Sequence, residues 1–208
     1  MSAIGNLFII SAPSGAGKTS LVKALLQRDP LICVSVSHTT RPMRSGEVNG
    51  SDYNFVDQQL FADLVNQNQM LEYATVFGNS YGTSKAWVEQ AIGEGKDVIL
   101  EIDWQGRDQV LQVFPKAVAI TILPPSKASL QARLSNRGTD SEQVIAKRMA
   151  EAESEIRQYT GSHYLLINDS FDLALSELTA IFVAERLQTK RQSIKHGKLL
   201  TDLLSNDA

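Results

Sequence analysis

An apolar run that stops at a glycine-rich turn and restarts as a helix constrains this chain more than any other feature. Leu7-Phe8-Ile9-Ile10 has no polar interruption, which suits a strand covered on both faces of a parallel sheet. Beyond the turn, Thr19-Ser20-Leu21-Val22-Lys23-Ala24-Leu25-Leu26 places Val22, Leu25 and Leu26 at helical spacing, and Pro30 closes the segment. A strand, a glycine-rich turn and a helix in that order aim several backbone N–H groups at one point, with a helix N-terminus behind them. That is an anion site. Gly15 and Gly17 permit the turn and a close backbone approach. Lys18 adds a flexible cation suited to the β- and γ-phosphates of a nucleotide, and the Thr19 hydroxyl is placed to ligate Mg²⁺. Ala12, Pro13, Ser14, Gly15, Ala16, Gly17, Lys18 and Thr19 thus form a candidate nucleotide-phosphate loop. The strict pattern has glycine where Ala12 stands, but alanine admits a tight turn at negative φ. The plainer reading is an ordinary strand-to-helix turn.

Similar apolar runs recur at 98–103, at 118–123 before Pro124-Pro125, and at 164–168. Helix-like stretches lie at 84–93, 126–136, 141–159 and 172–191. This alternation predicts an α/β fold, a parallel sheet with helices on both faces. Residues 35–83 break the rhythm, being rich in Ser, Thr, Gly and aromatics, and predict a small inserted α+β subdomain with short strands at 34–37 and 53–56. The tail after Lys190 reads as polar and peripheral.

With 208 residues the chain suffices for one domain with a full core, and a formal net charge of −3 provides no global basic field for a nucleic-acid polymer. Positive charge for a phosphorylated ligand has to be concentrated locally. Cys33 is the single cysteine, so no intramolecular disulfide forms, and it reads as a small buried apolar residue in a reducing compartment. The N-terminus lacks the basic region of a secretory signal, and no run approaches the ~20 apolar residues that span a bilayer, so a cytoplasmic location without membrane contact is expected.

A phosphate loop alone fits many enzymes, so other residues must decide. Arg41 and Arg44 stand three apart beside hydroxyl donors, and paired guanidinium donors match phosphate oxygens. Tyr53 and Tyr81 can each add a neutral hydrogen bond. A solvated surface loop remains the competing reading. Taken alone, Glu72 reads as a solvated helix residue. Arg133 and Arg137 lie four apart on one helix face with Arg148 on the next helix, a pattern that exposed ion pairs also explain.

Seven segments in order, SAPSGAGKTSL, VSHTTRPMRSGEVNGSDYNFV, LEYATVFGNSYGTS, LEIDWQG, LPPS, RLSNRGTDS and VIAKRM, closely resemble guanylate kinase over about residues 5–190. The resemblance implies phosphorylation of GMP by ATP with Mg²⁺. It implies a core at about 4–34, 84–125 and 160–190, a GMP-binding subdomain at about 35–83 and a helical lid at about 126–159. By the same resemblance Arg41, Arg44, Tyr53 and Tyr81 clamp the GMP phosphate, and Ser37, Glu72, Thr83 and Asp103 read guanine. Guanine's N1–H and N2–H₂ donors suit the Glu72 carboxylate, while the Ser37 and Thr83 hydroxyls suit O6. Adenine would leave Glu72 facing a lone pair.

Many members of the family carry aspartate where Glu101 stands, which leaves open whether Glu101 reaches the metal shell directly or through water. Arg133 and Asn168 fall on the ATP side, with Arg137 and Arg148 nearest the phosphoryl group in flight. The implied reaction is direct in-line transfer, assisted by Lys18, Mg²⁺, Arg41 and the lid arginines, with no role for His38, His163 or His196. The partners implied are ATP and GMP, with dGMP as a further acceptor, and a homo-oligomer is compatible. A kinase for another monophosphate would need a different base pocket. A non-catalytic interaction module would typically have lost Lys18, Thr19, Arg41 or Arg44. A GTPase switch would carry an N-K-x-D motif, which is not visible.

Overall fold

The computed structural model describes residues 4–76, 78–135 and 142–205. Its main sheet is wholly parallel, in the order β2-β7-β1-β8-β9, built from β1 (Leu7–Ser11), β2 (Ile32–Val34), β7 (Asp97–Leu100), β8 (Val118–Leu123) and β9 (Tyr164–Ile167). Central β1 is buried at every position, as its unbroken apolar sequence requires. Alternation then divides its side chains between two cores. Phe8 and Ile10 pack with Leu21, Leu25, Leu178 and Phe182 from α1 (Lys18–Arg28) and α7 (Phe171–Arg186). Leu7 and Ile9 pack with Val88, Ile92 and Val110 from α3 (Lys85–Gly93) and α4 (Trp104–Val113). Phe8 and Phe182 stack with ring centroids 3.7 Å apart. The α/β class expected from the sequence is the one observed.

A second sheet, order β4-β3-β6-β5, contains β3 (His38–Thr39), β4 (Asn54–Phe55), β5 (Met70–Val76) and β6 (Asn79–Ser84), with α2 (Gln58–Asn66) leading into β5. The β5–β6 pair is antiparallel and sets Glu72 opposite Thr83. After β8 come α5 (Lys127–Ser135) and α6 (Glu142–Arg157), then a 3₁₀ turn (Tyr159–Gly161) that leads to β9.

Four expectations need correction. The strand expected at 34–37 is instead Ile32–Val34 and belongs to the main sheet, where it pairs with β7. Its Cys33 is half-buried rather than fully buried, and desolvation raises the thiol pKa, away from nucleophilic reactivity. The helix expected over 172–191 is broken into α7 and α8 (Thr189–Lys195), with Gln188 extended at ψ 135. Tertiary bonds on both sides of the break override local propensity: Arg186 bridges Asp29 and Asp97, while Arg191 donates to the carbonyls of Ile4 and Gly5 at 2.8 Å. The tail is less polar than expected, since α9 (Gly197–Leu204) exposes Leu199, Leu203 and Leu204. No helix among the described residues is long and apolar enough to cross a membrane.

Candidate active site

β1 delivers the chain into the phosphate loop at the carboxyl edge of the main sheet, the edge where α/β folds bind ligands. Gly15 (φ 91) and Gly17 (φ 95) are both left-handed, and Gly17 caps the N-terminus of α1. A methyl group on Gly17 would lie 2.3 Å from Nδ2 of Asn168, so glycine is needed for space as well as conformation. Among the described residues Asn68 is the sole non-glycine at positive φ, so Ala12 turns at negative φ, as the departure from the strict motif requires.

Asn168 is 5% exposed and donates through Nδ2 to the Ala16 carbonyl at 2.8 Å. Arg133 on α5 donates to the Asn168 carbonyl at 2.9 Å and to the Ala16 carbonyl at 3.4 Å. The loop carbonyl that would repel an anion is therefore satisfied by protein. Lys18 Nζ lies 3.8 Å from Oε2 of Glu101, which follows β7. Desolvation pushes the Lys18 ammonium below the ordinary lysine range, against the opposing charges of Glu101, Glu155 and Asp103. Thr19 is exposed on the first turn of α1.

Across the 101–106 segment lies a second polar centre. Glu72 is on a strand and 5% exposed, so its reading as a solvated helix residue is overturned. Thr83 donates its hydroxyl to Glu72 Oε1 at 2.6 Å. That proton, expected to serve a ligand's O6, is instead committed to the carboxylate. Burial raises the Glu72 pKa to about 7, with Asp103 adding to the effect and the Thr83 bond opposing it. A methyl at Gly106 would stand 3.0 Å from Glu72 Oε2, so a small residue there keeps the carboxyl unobstructed. Asp103 caps α4, accepting from the Gly106 N–H at 2.9 Å through Oδ1.

Arg41, Tyr53 and Tyr81 converge at one end of the second sheet. The Arg41 guanidinium carbon is 5.4 Å from the Tyr53 ring centre and 5.6 Å from that of Phe55. Tyr53 and Tyr81 meet edge to face at 5.9 Å. Arg41 is bound by Glu47 at 2.6 Å, and the same carboxylate accepts the Arg44 backbone N–H at 2.7 Å. Arg44 itself is exposed, and Ser37 is half-buried between β2 and β3. Arg148 is half-buried on α6, whereas Arg137 lies outside the described residues.

A family model described as guanylate kinase matches residues 4–185. The guanylate kinase of Saccharophagus degradans is 54% identical over 205 residues, 99% of this chain and 100% of that protein. The guanylate kinase of Vibrio vulnificus strain YJ016 is 53% identical over 97% of this chain and 98% of its own length. The crystal structure of guanylate kinase from Anaplasma phagocytophilum superposes with a TM-score of 0.75 at 31% identity, covering 92% of this chain and 91% of that one. The chain belongs to the guanylate kinase family.

Two residues near the site of this guanylate kinase family member were not singled out by sequence reasoning. Glu47 holds Arg41, and its only sequence signal is its place three residues after Arg44. Glu155 faces Lys18 and Asp103 electrostatically, and desolvation raises its pKa to about 7, with Asp103 adding and Lys18 opposing. It stands seven residues after Arg148 on α6, two helical turns away on the same face, and that spacing was the available signal.

Proposed function

We infer that this chain transfers the terminal phosphoryl group of ATP to the phosphate of GMP, yielding ADP and GDP. The observation that carries the reading is a phosphate loop with Lys18 on one side of residues 101–106 and a buried carboxyl, Glu72, on the other. Ionised Glu72 accepts the N1–H and N2–H of guanine, Ser37 donates to O6, and the uncapping oxygen of Asp103 reaches the N2 edge. Thr83 orients Glu72. Arg41, Arg44, Tyr53 and Tyr81 hold the acceptor phosphate, with Arg41 exchanging Glu47 for it.

On the donor side, residues 12–19 cradle the ATP phosphates while Arg133 and Asn168 brace the loop. Lys18, Arg137 and Arg148 offset charge on the moving group. A GMP phosphate oxygen forms the new bond to the γ-phosphorus as the bond to the β–γ bridging oxygen breaks, with no covalent enzyme intermediate. Because the acceptor is already an anion, no strong general base is needed. The oxygen donors at Thr19, Glu101 and Asp103 suit Mg²⁺, an ion held largely by phosphate and water, and no acid cage forms among the described residues. Bound there through Thr19, it would neutralise charge on the β- and γ-phosphates. Residues 35–83 serve as the acceptor subdomain and 126–159 as a lid over the core, which excludes water as a competing acceptor.

A coupled assay of ADP release with ATP, Mg²⁺ and each of GMP, AMP, CMP and UMP tests the reading. GMP is expected to exceed the others in kcat/KM by ~10³-fold or more. Comparable rates with AMP would overturn it.

Acidification provides a second check. Free Glu72 titrates at about 7, so below that pH a growing fraction carries the proton that guanine's N–H groups cannot use. kcat/KM for GMP is expected to fall by ~10-fold per unit well below this value. GMP's own phosphate ionisation near ~6 acts on every variant alike. The wild-type to Glu72→Gln ratio therefore isolates the carboxyl, and a ratio independent of pH would exclude its titration from the profile. Stability runs the opposite way. Between 4.5 and about 7 the native state holds a proton that the unfolded chain has lost, so this residue's contribution declines as pH rises through that window.

A further inference from the structure

We propose that Arg107 is a positioning residue that couples the acceptor-base site to the α5–α6 pair. The inference rests on the acceptor reading of Glu72 and Asp103. Arg107 is 3% exposed, an uncommon place for a cation unless every donor has a purpose. It donates through Nη1 to the Gln158 carbonyl at 2.7 Å and to Ser162 Oγ at 3.3 Å, and through Nε to Asp108 at 2.8 Å. Gln158 directly follows the last residue of α6. The guanidinium therefore binds a carbonyl at the foot of that helix, one that also accepts from the Gly161 N–H at 3.2 Å, and the helix dipole favours a cation there.

The room for this contact is made by Gly161. A methyl there would lie 2.3 Å from Arg107 Nη2 and 2.6 Å from the guanidinium carbon. The φ of Gly161 is not in the left-handed region, so its glycine answers to space and not to backbone conformation.

Helix α4 joins this contact to the acceptor side. The Arg107 N–H donates to the Asp103 carbonyl at 3.0 Å, one turn earlier on the same helix. Further along, Gln109 accepts from the Tyr73 N–H at 3.1 Å and donates to the Tyr73 carbonyl at 2.9 Å, adjacent to Glu72 on β5. One short, rigid helix thus carries a base-reading carboxylate, a clasp on the strand of the other base reader, and the clamp on α6. The cavity between Asp103, Arg107, Glu155 and Ser11 is only ≈ 10 Å³, about a water molecule, so it offers little slack for independent movement. A shift of Asp103 on binding guanine displaces the foot of α6 through Arg107.

Titration calorimetry of a non-hydrolysable ATP analogue with Mg²⁺, without and with saturating GMP, reads the coupling. In the wild type GMP is expected to tighten the analogue by ~10-fold. Arg107→Met should reduce that ratio to within about two-fold of unity while leaving each ligand's separate affinity within about three-fold, a split that general loss of structure would not produce. Gly161→Ala, which displaces the guanidinium without removing it, should lower the ratio in the same direction. Should Arg107→Met fail to melt cooperatively, Gly161→Ala and Arg107→Lys decide. A wild-type ratio of unity, or coupling intact in the folded variants, overturns the proposal. A wild-type chain that makes no GDP from GMP refutes the acceptor reading instead.

Discussion

Lys18→Met is expected to lower kcat by ~10³-fold or more while the protein remains folded. Methionine keeps the length and apolar stem of lysine but removes the cation, so the change isolates charge. Lys18 is desolvated within a loop whose backbone N–H groups are the other source of positive potential. In such a site a fixed cation acts on the transferring phosphoryl group without first reorganising water. Stability should change little or rise slightly, because desolvation of the ammonium is no longer opposed only by Glu101 at 3.8 Å and two more distant carboxylates. ATP binding should weaken less than turnover, because the loop amides remain. Single-turnover measurements at saturating ATP and GMP, with a melting curve on the same sample, check this. A folded variant turning over within about ten-fold of wild type would remove Lys18 from the transition state.

Glu72→Gln is expected to cut kcat/KM for GMP by ~10² to 10³-fold and leave KM for ATP near its original value. The amide has a single acceptor oxygen, which Thr83 would claim through the bond it now gives Oε1 at 2.6 Å. The NH₂ group would then face guanine's own donors. The protein should meanwhile become more stable above neutral pH, since a buried carboxylate that resists ionisation is gone. Opposite signs for activity and stability separate a lost recognition contact from a damaged fold. Initial rates against GMP and ATP, with urea unfolding at pH 8, measure both. Full GMP efficiency in the variant would sink the guanine assignment.

Much of the site was legible because its parts are local. The φ values of Gly15 and Gly17 and the negative φ of Ala12 belong to a turn set by adjacent residues. The strands at 7–10, 98–100 and 118–123 were visible because helices cover both faces of the sheet there and make each run largely apolar, and edge strand β9 kept the pattern although Leu165 and Ile167 are exposed. Within 35–83 the segments carrying Arg41, Tyr53 and Tyr81 could be named but not assembled. Their strands are short, and β3 pairs with neighbours distant in sequence.

Sequence alone determined the parallel α/β class, the phosphate loop, and the residue types of the acceptor side. The first two depend on the order of neighbouring residues and on apolar period, and the third on the resemblance to guanylate kinase. Tertiary structure decided what those residues do with their protons and bonds. It buried the Glu72 side chain on β5 and raised its pKa, because water is excluded there. It committed the Thr83 hydroxyl to Glu72, and it set Asn168 and Arg133 behind the loop at Ala16. It also broke the helix at Gln188, where bonds to Asp29, Asp97 and the N-terminal carbonyls outweigh propensity. Each of these outcomes depends on groups remote in sequence and on local dielectric, and neither exists until the chain is packed.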